Sequence, residues 1–260
     1  MDAVPTGCAG HARSRKCIAL LNRWRYRPRW WVYLIGILLL CFAADRVVAP
    51  QHLPWRALDP DAPIGLATGS KITMIALAPS RICLAKLESA DSIQIKQAAP
   101  HRAKGKCGWK IANTLTKAGK VTFRPKEVTA QCPLVLAGYI WLHEVDKQAQ
   151  SILGSGVKRI HHAGTYSCRR QRGNGSGAWS EHAFANAWDI TGFELDDGRV
   201  ISIYKDWQGG RSKEAKARRK FLHKARDKAC RVFRVVLSPD FNAAHKDHFH
   251  FDQGPSLSCR

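Results

Sequence analysis

No Cys-x-x-Cys pair occurs in this chain of 260 residues, which argues against a zinc ribbon or finger built from thiolates. No repeat at a fixed period and no long low-complexity tract is present, so a solenoid is not expected. Acidic residues are scarce: 20 Asp and Glu stand against 42 Lys and Arg, a formal charge of +22. That imbalance predicts attraction to a polyanion, whether nucleic acid, anionic lipid or a carboxylate- and phosphate-bearing envelope polymer. Zinc-finger, helix-turn-helix and RNA-recognition signatures are missing too, so no specific nucleic-acid partner is expected.

What is present begins with one uncharged run, "WWVYLIGILLLCFAA" at 30–44, ended by Asp45 and Arg46. It reaches about 20 residues only with "DRVVA" included, a short span by bilayer arithmetic. Arg23, Arg25, Arg27 and Arg29 precede it and place the N-terminus on the cytoplasmic side. A cleaved signal peptide is the competing reading, with "VVAP" as the cleavage region. The long basic segment before the run favours an uncleaved anchor, and the arginines with the Trp30–Trp31–Tyr33 belt argue against a buried core helix. The expected organisation is a basic cytoplasmic segment at 1–29, a signal-anchor at 30–49, a proline-rich linker at 50–80 and an exported domain at 81–260. Six cysteines follow the run, Cys83, Cys107, Cys132, Cys168, Cys230 and Cys259. An even number in an oxidising space predicts three disulfides of open connectivity. Cys168, beside Arg169, could also be read as a nucleophile, but the even set favours a disulfide.

Pro125 suits the first turn of a helix whose apolar stripe runs Val128, Cys132, Val135, Leu136, Tyr139 and Ile140, with Pro133 as a potential break. "VKRIHHAGTYSCR", "AWDITGFEL", "RVISIYKDW", "RVVLSPD" and "DHFHFD" read as strands, with a hairpin signal at "DDG". "SKEAKARRKFLHKARDKACRVF" reads as an amphipathic helix burying Phe221, Leu222, Ala225, Ala229 and Val232. The order implies an α+β fold with an antiparallel sheet and flanking helices. Trp188 and Trp207 are assigned to the core, and His161 and His162 to the surface.

Histidines and aspartates crowd "AAHKDHFHFD" at 243–252. On a strand, His248 and His250 at i and i+2 point to one side. About sixty residues upstream, "SEHAFANAWDITGF" offers His182 and Asp189, with six residues between them. If the two segments are neighbours, His182, Asp189 and one terminal histidine supply three ligands and leave a position open, as in catalytic zinc sites.

These segments resemble the signature S-x-H-x6-D … H-x-H of the zinc superfamily of lysostaphin, D-Ala-D-Ala peptidases, penicillin-insensitive murein endopeptidases and the hedgehog domain. More closely, "GTYSCR", "SEHAFANAWDITGF", "DGRVISIYKDW", "FLHKARDKACRVFRVVLSPDFNAAHKDHFHFD" and the final "CR" resemble the bacterial extensin-like C-terminal domain family, over roughly residues 80–260. The resemblance implies a zinc-peptidase core with Zn2+ held by His182, Asp189 and His250. It implies that His248 assists proton transfer, that Arg169 faces the developing oxyanion, and that Ser180, the serine of the motif, lies on the substrate side. Asp247 is a second candidate base, although on a regular strand it would point away from His248 and His250. Many superfamily members have glycine where this chain has Ala185, whose methyl is expected to narrow the substrate approach. His245 and Asp252 are expected to support their neighbours.

The implied protein is a single-pass protein of the bacterial inner membrane. Its periplasmic domain is expected to hydrolyse amide bonds of peptidoglycan, with that or another anionic envelope polymer as partner. The alternative is a non-catalytic zinc-binding wall module of the same fold.

Overall fold

The computed structural model describes residues 30–171 and 176–260. The basic segment 1–29, with Cys8 and Cys17, lies outside the described residues. The chain divides into two compact units, Met1–Val48 and Ala49–Arg260.

In the first unit α1 spans Trp30–Val47, and none of its residues is buried. At 1.5 Å per residue it is about 27 Å long, close to the thickness of a bilayer's hydrocarbon core. Its mean hydropathy of 1.7 marks it as a candidate span; a signal sequence passes the same test.

The second unit contains α2 (Thr68–Leu77), α3 (Ser80–Glu88), β1 (Ile93–Ala98), β2 (His101–Arg102), β3 (Gly108–Trp109), β4 (Ala112–Ala118), β5 (Thr122–Arg124) and β6 (Val128–Ala130). It continues through α4 (Cys132–Leu153), β7 (Val157–Gly164), β8 (Ala187–Leu195), β9 (Val200–Ser202), α5 (Ile203–Asp206) and α6 (Lys213–Ala229). The last elements are β10 (Val235–Leu237), β11 (Phe249–Asp252) and β12 (Ser258–Cys259). The architecture is α+β. A seven-stranded sheet runs β12-β10-β11-β8-β7-β5 with β9 also paired to β8, beside a three-stranded sheet β1-β4-β6 and a small β2-β3 hairpin. The larger sheet is mixed rather than purely antiparallel, because β12 lies parallel to β10 and β5 parallel to β7.

Alternation along β8 and β11 builds both the core and the site. Trp188, Ile190, Phe193, Leu195, Phe249 and Phe251 are buried, whereas Asp189, Thr191, Glu194 and His250 are only partly so and project from the other face. The buried rings pack around Trp141 of α4, whose ring centroid lies 5.2 Å from Phe251, 6.1 Å from Phe193 and 6.3 Å from Trp188. Trp141 Nε1 donates to the Ala225 carbonyl of α6 at 2.8 Å, so the buried indole has its partner. Gly138 lets α4 approach the sheet, since a Cβ there would stand 3.3 Å from the Trp188 ring.

Several expected elements differ. The helix begins at Cys132, not at Pro125: Pro133 occupies its first turn, and Val128–Ala130 form a strand with a buried-partial-buried pattern. The start signal was right in kind, but the second proline carries it. Pro133 therefore opens the helix instead of breaking it. In "RVISIYKDW" only Val200–Ser202 are strand; Ser202 Oγ accepts from Lys205 N–H and caps α5. Part of the segment expected as linker is folded, for α2 buries Ile72 and Lys71. The six cysteines pair as Cys83–Cys132, Cys107–Cys168 and Cys230–Cys259, which leaves Cys168 no nucleophilic role. Trp188 and Trp207 lie in the core.

Candidate metal centre

Ser180 opens the site. Its Oγ accepts from the His182 amide at 3.3 Å and caps the single 3-10 turn Glu181–Phe184, which presents the His182 ring. The turn closes at Ala185, the sole non-glycine residue with positive φ (54°) among the described residues. That left-handed conformation favours glycine, which accounts for glycine in the resembling pattern. The Ala185 methyl is fully buried, so it does not narrow any approach to the site. Ser180, expected on the substrate side, is itself 7% exposed, and its described contact shapes the turn.

Antiparallel pairing of β11 with β8 sets His250 directly opposite Asp189. His250 Nδ1 lies 2.9 Å from Asp189 Oδ1, His182 Nε2 lies 3.1 Å from Asp189 Oδ2, and the two imidazole nitrogens are 3.2 Å apart. All three residues thus offer one donor atom each to a group within 4.8 Å. Each ring is oriented from behind: His182 Nδ1 sits 3.2 Å from the Thr165 carbonyl, and His250 Nε2 sits 3.0 Å from Asp252 Oδ2. Acceptors at those positions fix the N–H on the outer nitrogen and turn the lone pair of the other inward.

The donor set fits a tetrahedral cation. Bonds of about 2.0–2.1 Å place neighbouring tetrahedral ligands about 3.3 Å apart, near the spacings seen here. Two lone pairs and a carboxylate facing one another require a cation or a proton between them. The electrostatics agree. Burial disfavours charge on Asp189, yet the His182 and His250 hydrogen bonds outweigh it and hold its carboxyl well below the usual range. Burial likewise lowers the His250 pKa, but the bonds to Asp189 and Asp252 prevail and raise it to about 9.

His248 immediately precedes β11 and keeps its ring on the same side. Its Nε2 is 3.8 Å from Asp189 Oδ1, while its Nδ1 faces Asp247 Oδ1 at 2.8 Å. Asp247 lies in the turn before the strand, so no bulge is needed to bring it to His248. Its hydrogen bond with His248 holds its carboxyl below the usual carboxylate range. The Arg169 side chain is exposed beyond the site, and its charge reaches His245.

Around the centre, His245 was expected to support its neighbours, whereas Asn242 and the Thr165 carbonyl carried no assignment from sequence. His245 packs against the site, with ring centroids 5.1 Å from His248 and 5.9 Å from His250. Burial first, then the neighbouring histidines, lower its pKa to about 4. Asn242 Oδ1 faces His245 Nδ1 at 2.8 Å and accepts from Ala244 N–H at 3.0 Å, capping a short turn. Asn two residues before "AH" was a legible capping signal; the Thr165 carbonyl, a backbone group, had none. His162, expected at the surface, is buried with Nε2 2.8 Å from the Lys126 carbonyl, because β7 turns it toward Trp188. His161 is partly buried and meets Glu194 outside the cluster. A groove of about 450 Å³ adjoins Asp247 and is lined also by Thr191, Tyr204 and Lys246.

A family model described as extensin-like protein C-terminus matches residues 81–260. No curated protein matches the chain, and no solved structure does.

Proposed function

The chain belongs to the extensin-like protein C-terminus family, and from that premise we propose that its outer domain is a zinc-dependent hydrolase of peptidoglycan amide bonds. We place its core with the lysostaphin, D-Ala-D-Ala peptidase and hedgehog superfamily, and the domain in the periplasm, anchored to the bacterial inner membrane by α1. The three disulfides are consistent with a location outside the cytoplasm.

One observation carries the reading. Three candidate ligand atoms converge at 2.9–3.2 Å, and a fourth residue, His248, stands beside them with its own orienting carboxylate. A purely structural metal site has no use for that dyad. His182 Nε2, Asp189 and His250 Nδ1 would hold the zinc. When bound, zinc supplies a nucleophilic water at neutral pH and polarises the scissile carbonyl.

The chain's own groups supply the rest. Asp247 keeps the proton of His248 on Nδ1, so Nε2 is the basic atom on the site side. His248 Nε2 accepts the nucleophile's proton and returns it to the leaving amine. Asp247 therefore acts through His248 as a positioning residue, not as a rival base. Arg169, exposed at the rim, would meet the oxyanion once substrate covers it. Ser180 and Ala185 hold the His182 turn. The basic surface favours an acidic polymer as substrate.

Muropeptides incubated with the chain, with and without a chelator, test the reading. Hydrolysis should vanish with the metal and return on zinc addition. His248→Ala should hold zinc yet release no product; if it cleaves as the parent does, His248 is not the base. Retained wall affinity without cleavage in either protein would favour the non-catalytic wall-binding module.

A further inference from the structure

We propose that the exposed face of α2 is a docking surface that lays the outer domain on the anionic bilayer entered by α1. The proposal rests on the reading of α1 as an uncleaved anchor and not on the chemistry of the metal centre. Pro50–His52, the 3-10 turn that begins two residues after Val47–Val48, is pinned to the start of α2. Lys71 Nζ donates to the Pro50 carbonyl at 2.7 Å, Ala67 N–H to the Gln51 carbonyl at 3.2 Å, and Leu66 N–H to His52 Nδ1 at 3.1 Å. Gly65 makes this approach possible, since a Cβ there would stand 2.3 Å from the Gln51 oxygen. The three steps from Val47 to Pro50 span at most about 10 Å. The connection is therefore short enough for the start of α2 to reach a bilayer that holds α1.

From that point runs an apolar stripe with nothing over it among the described residues. Leu66 is 74% exposed, Met74 64% and Leu77 84%, at helical spacing, and Leu257 across the groove is 77% exposed. Leu66, Ser70, Met74, Leu257, Arg231 and Arg234 line one groove of about 580 Å³. Arg234 donates to the Gly254 and Pro255 carbonyls, and so fixes the loop that carries Leu257. Arg231 is exposed and points the same surface toward anions. Large apolar side chains beside exposed arginine are the composition of an interfacial membrane contact. Residues 49–260 hold 34 Lys and Arg against 18 Asp and Glu, an excess of positive charge that suits anionic headgroups.

The test uses the full chain with Cys8→Ser, Cys17→Ser and Cys41→Ser, reconstituted at one copy per nanodisc, and a polarity-sensitive dye on Met74→Cys. In phosphatidylglycerol-containing discs the dye emission should shift to the blue and be quenched by spin-labelled lipid. Arg231→Glu should reduce the quenching severalfold. A dye that stays water-like and unquenched in these discs overturns the proposal. A shift that develops only with two copies per disc also overturns it, and assigns the face to a second copy of the chain.

Discussion

Asp252→Asn separates a metal ligand from a merely polar histidine. The Asp252 carboxylate accepts twice, from His250 Nε2 at 3.0 Å and from Gly254 N–H at 2.8 Å. An asparagine keeps one acceptor oxygen, so one of those two donors must face its amide N–H. If His250 loses, its ring turns or moves its proton to Nδ1, the atom that faces Asp189 and His182. Either response removes a lone pair from the donor set. Loss of such an orienting partner weakens metal binding about 10- to 100-fold, or about 1.4–2.7 kcal/mol. Competition with a chromophoric chelator at fixed pH reads this directly. Asp247→Asn is the matched control: Asp247 touches His248 but none of the three ligands, so zinc affinity should hold while turnover falls. Asp252→Ala leaves His250 Nε2 no acceptor in either orientation, and unchanged zinc affinity in that variant as well would refute the assignment of His250 Nδ1 as a ligand atom.

Replacing Cys83 and Cys132 by alanine opens a loop of 49 residues that ties α3 to α4; by chain entropy the loss is about 4 kcal/mol, read from urea unfolding. Trp141→Ala empties the centre of the aromatic core and removes the indole donor from the Ala225 carbonyl, which should cost about 3–5 kcal/mol in the same measurement. The pKa of His162 is lowered in the fold, chiefly by burial. Below its unfolded pKa of about 6.5 the unfolded chain binds a proton that the native chain does not, so stability falls as pH falls. The slope is at most about 1.4 kcal/mol per pH unit, and it should be smaller in His162→Gln when unfolding midpoints are compared between pH 7 and pH 5.

How far the sequence could be read depended on how local each signal was. The His182–Asp189 and His248–His250 pairs were legible because short spacing fixes which side chains share a face, and β8 and β11 are regular at those positions. Their adjacency was a guess from pattern; the register that sets His250 against Asp189 is a long-range pairing that no local signal encodes. The amphipathic helix with Phe221 and Leu222 was equally plain. Asp247 was misjudged because strand alternation was extended one turn too far, into residues that are not strand. Pro125 and Pro133 carry the same helix-start signal, and the strand pairing of Val128–Ala130 decides between them. The fold of residues 50–80 was hidden for a similar reason: prolines suggested a tether, whereas hydrogen bonds from Leu66, Ala67 and Lys71 hold that segment in place.

The account rests on amide hydrolysis by a metal-loaded His182–Asp189–His250 site with His248 as its base. Mass spectrometry of sacculi incubated with the zinc-loaded chain and with His248→Ala, alongside metal analysis of both proteins, tests it most directly. The account predicts one zinc in each protein, and new muropeptide fragments bearing a freed amine from the parent alone. Zinc in neither protein, or the same fragments from both, would contradict it.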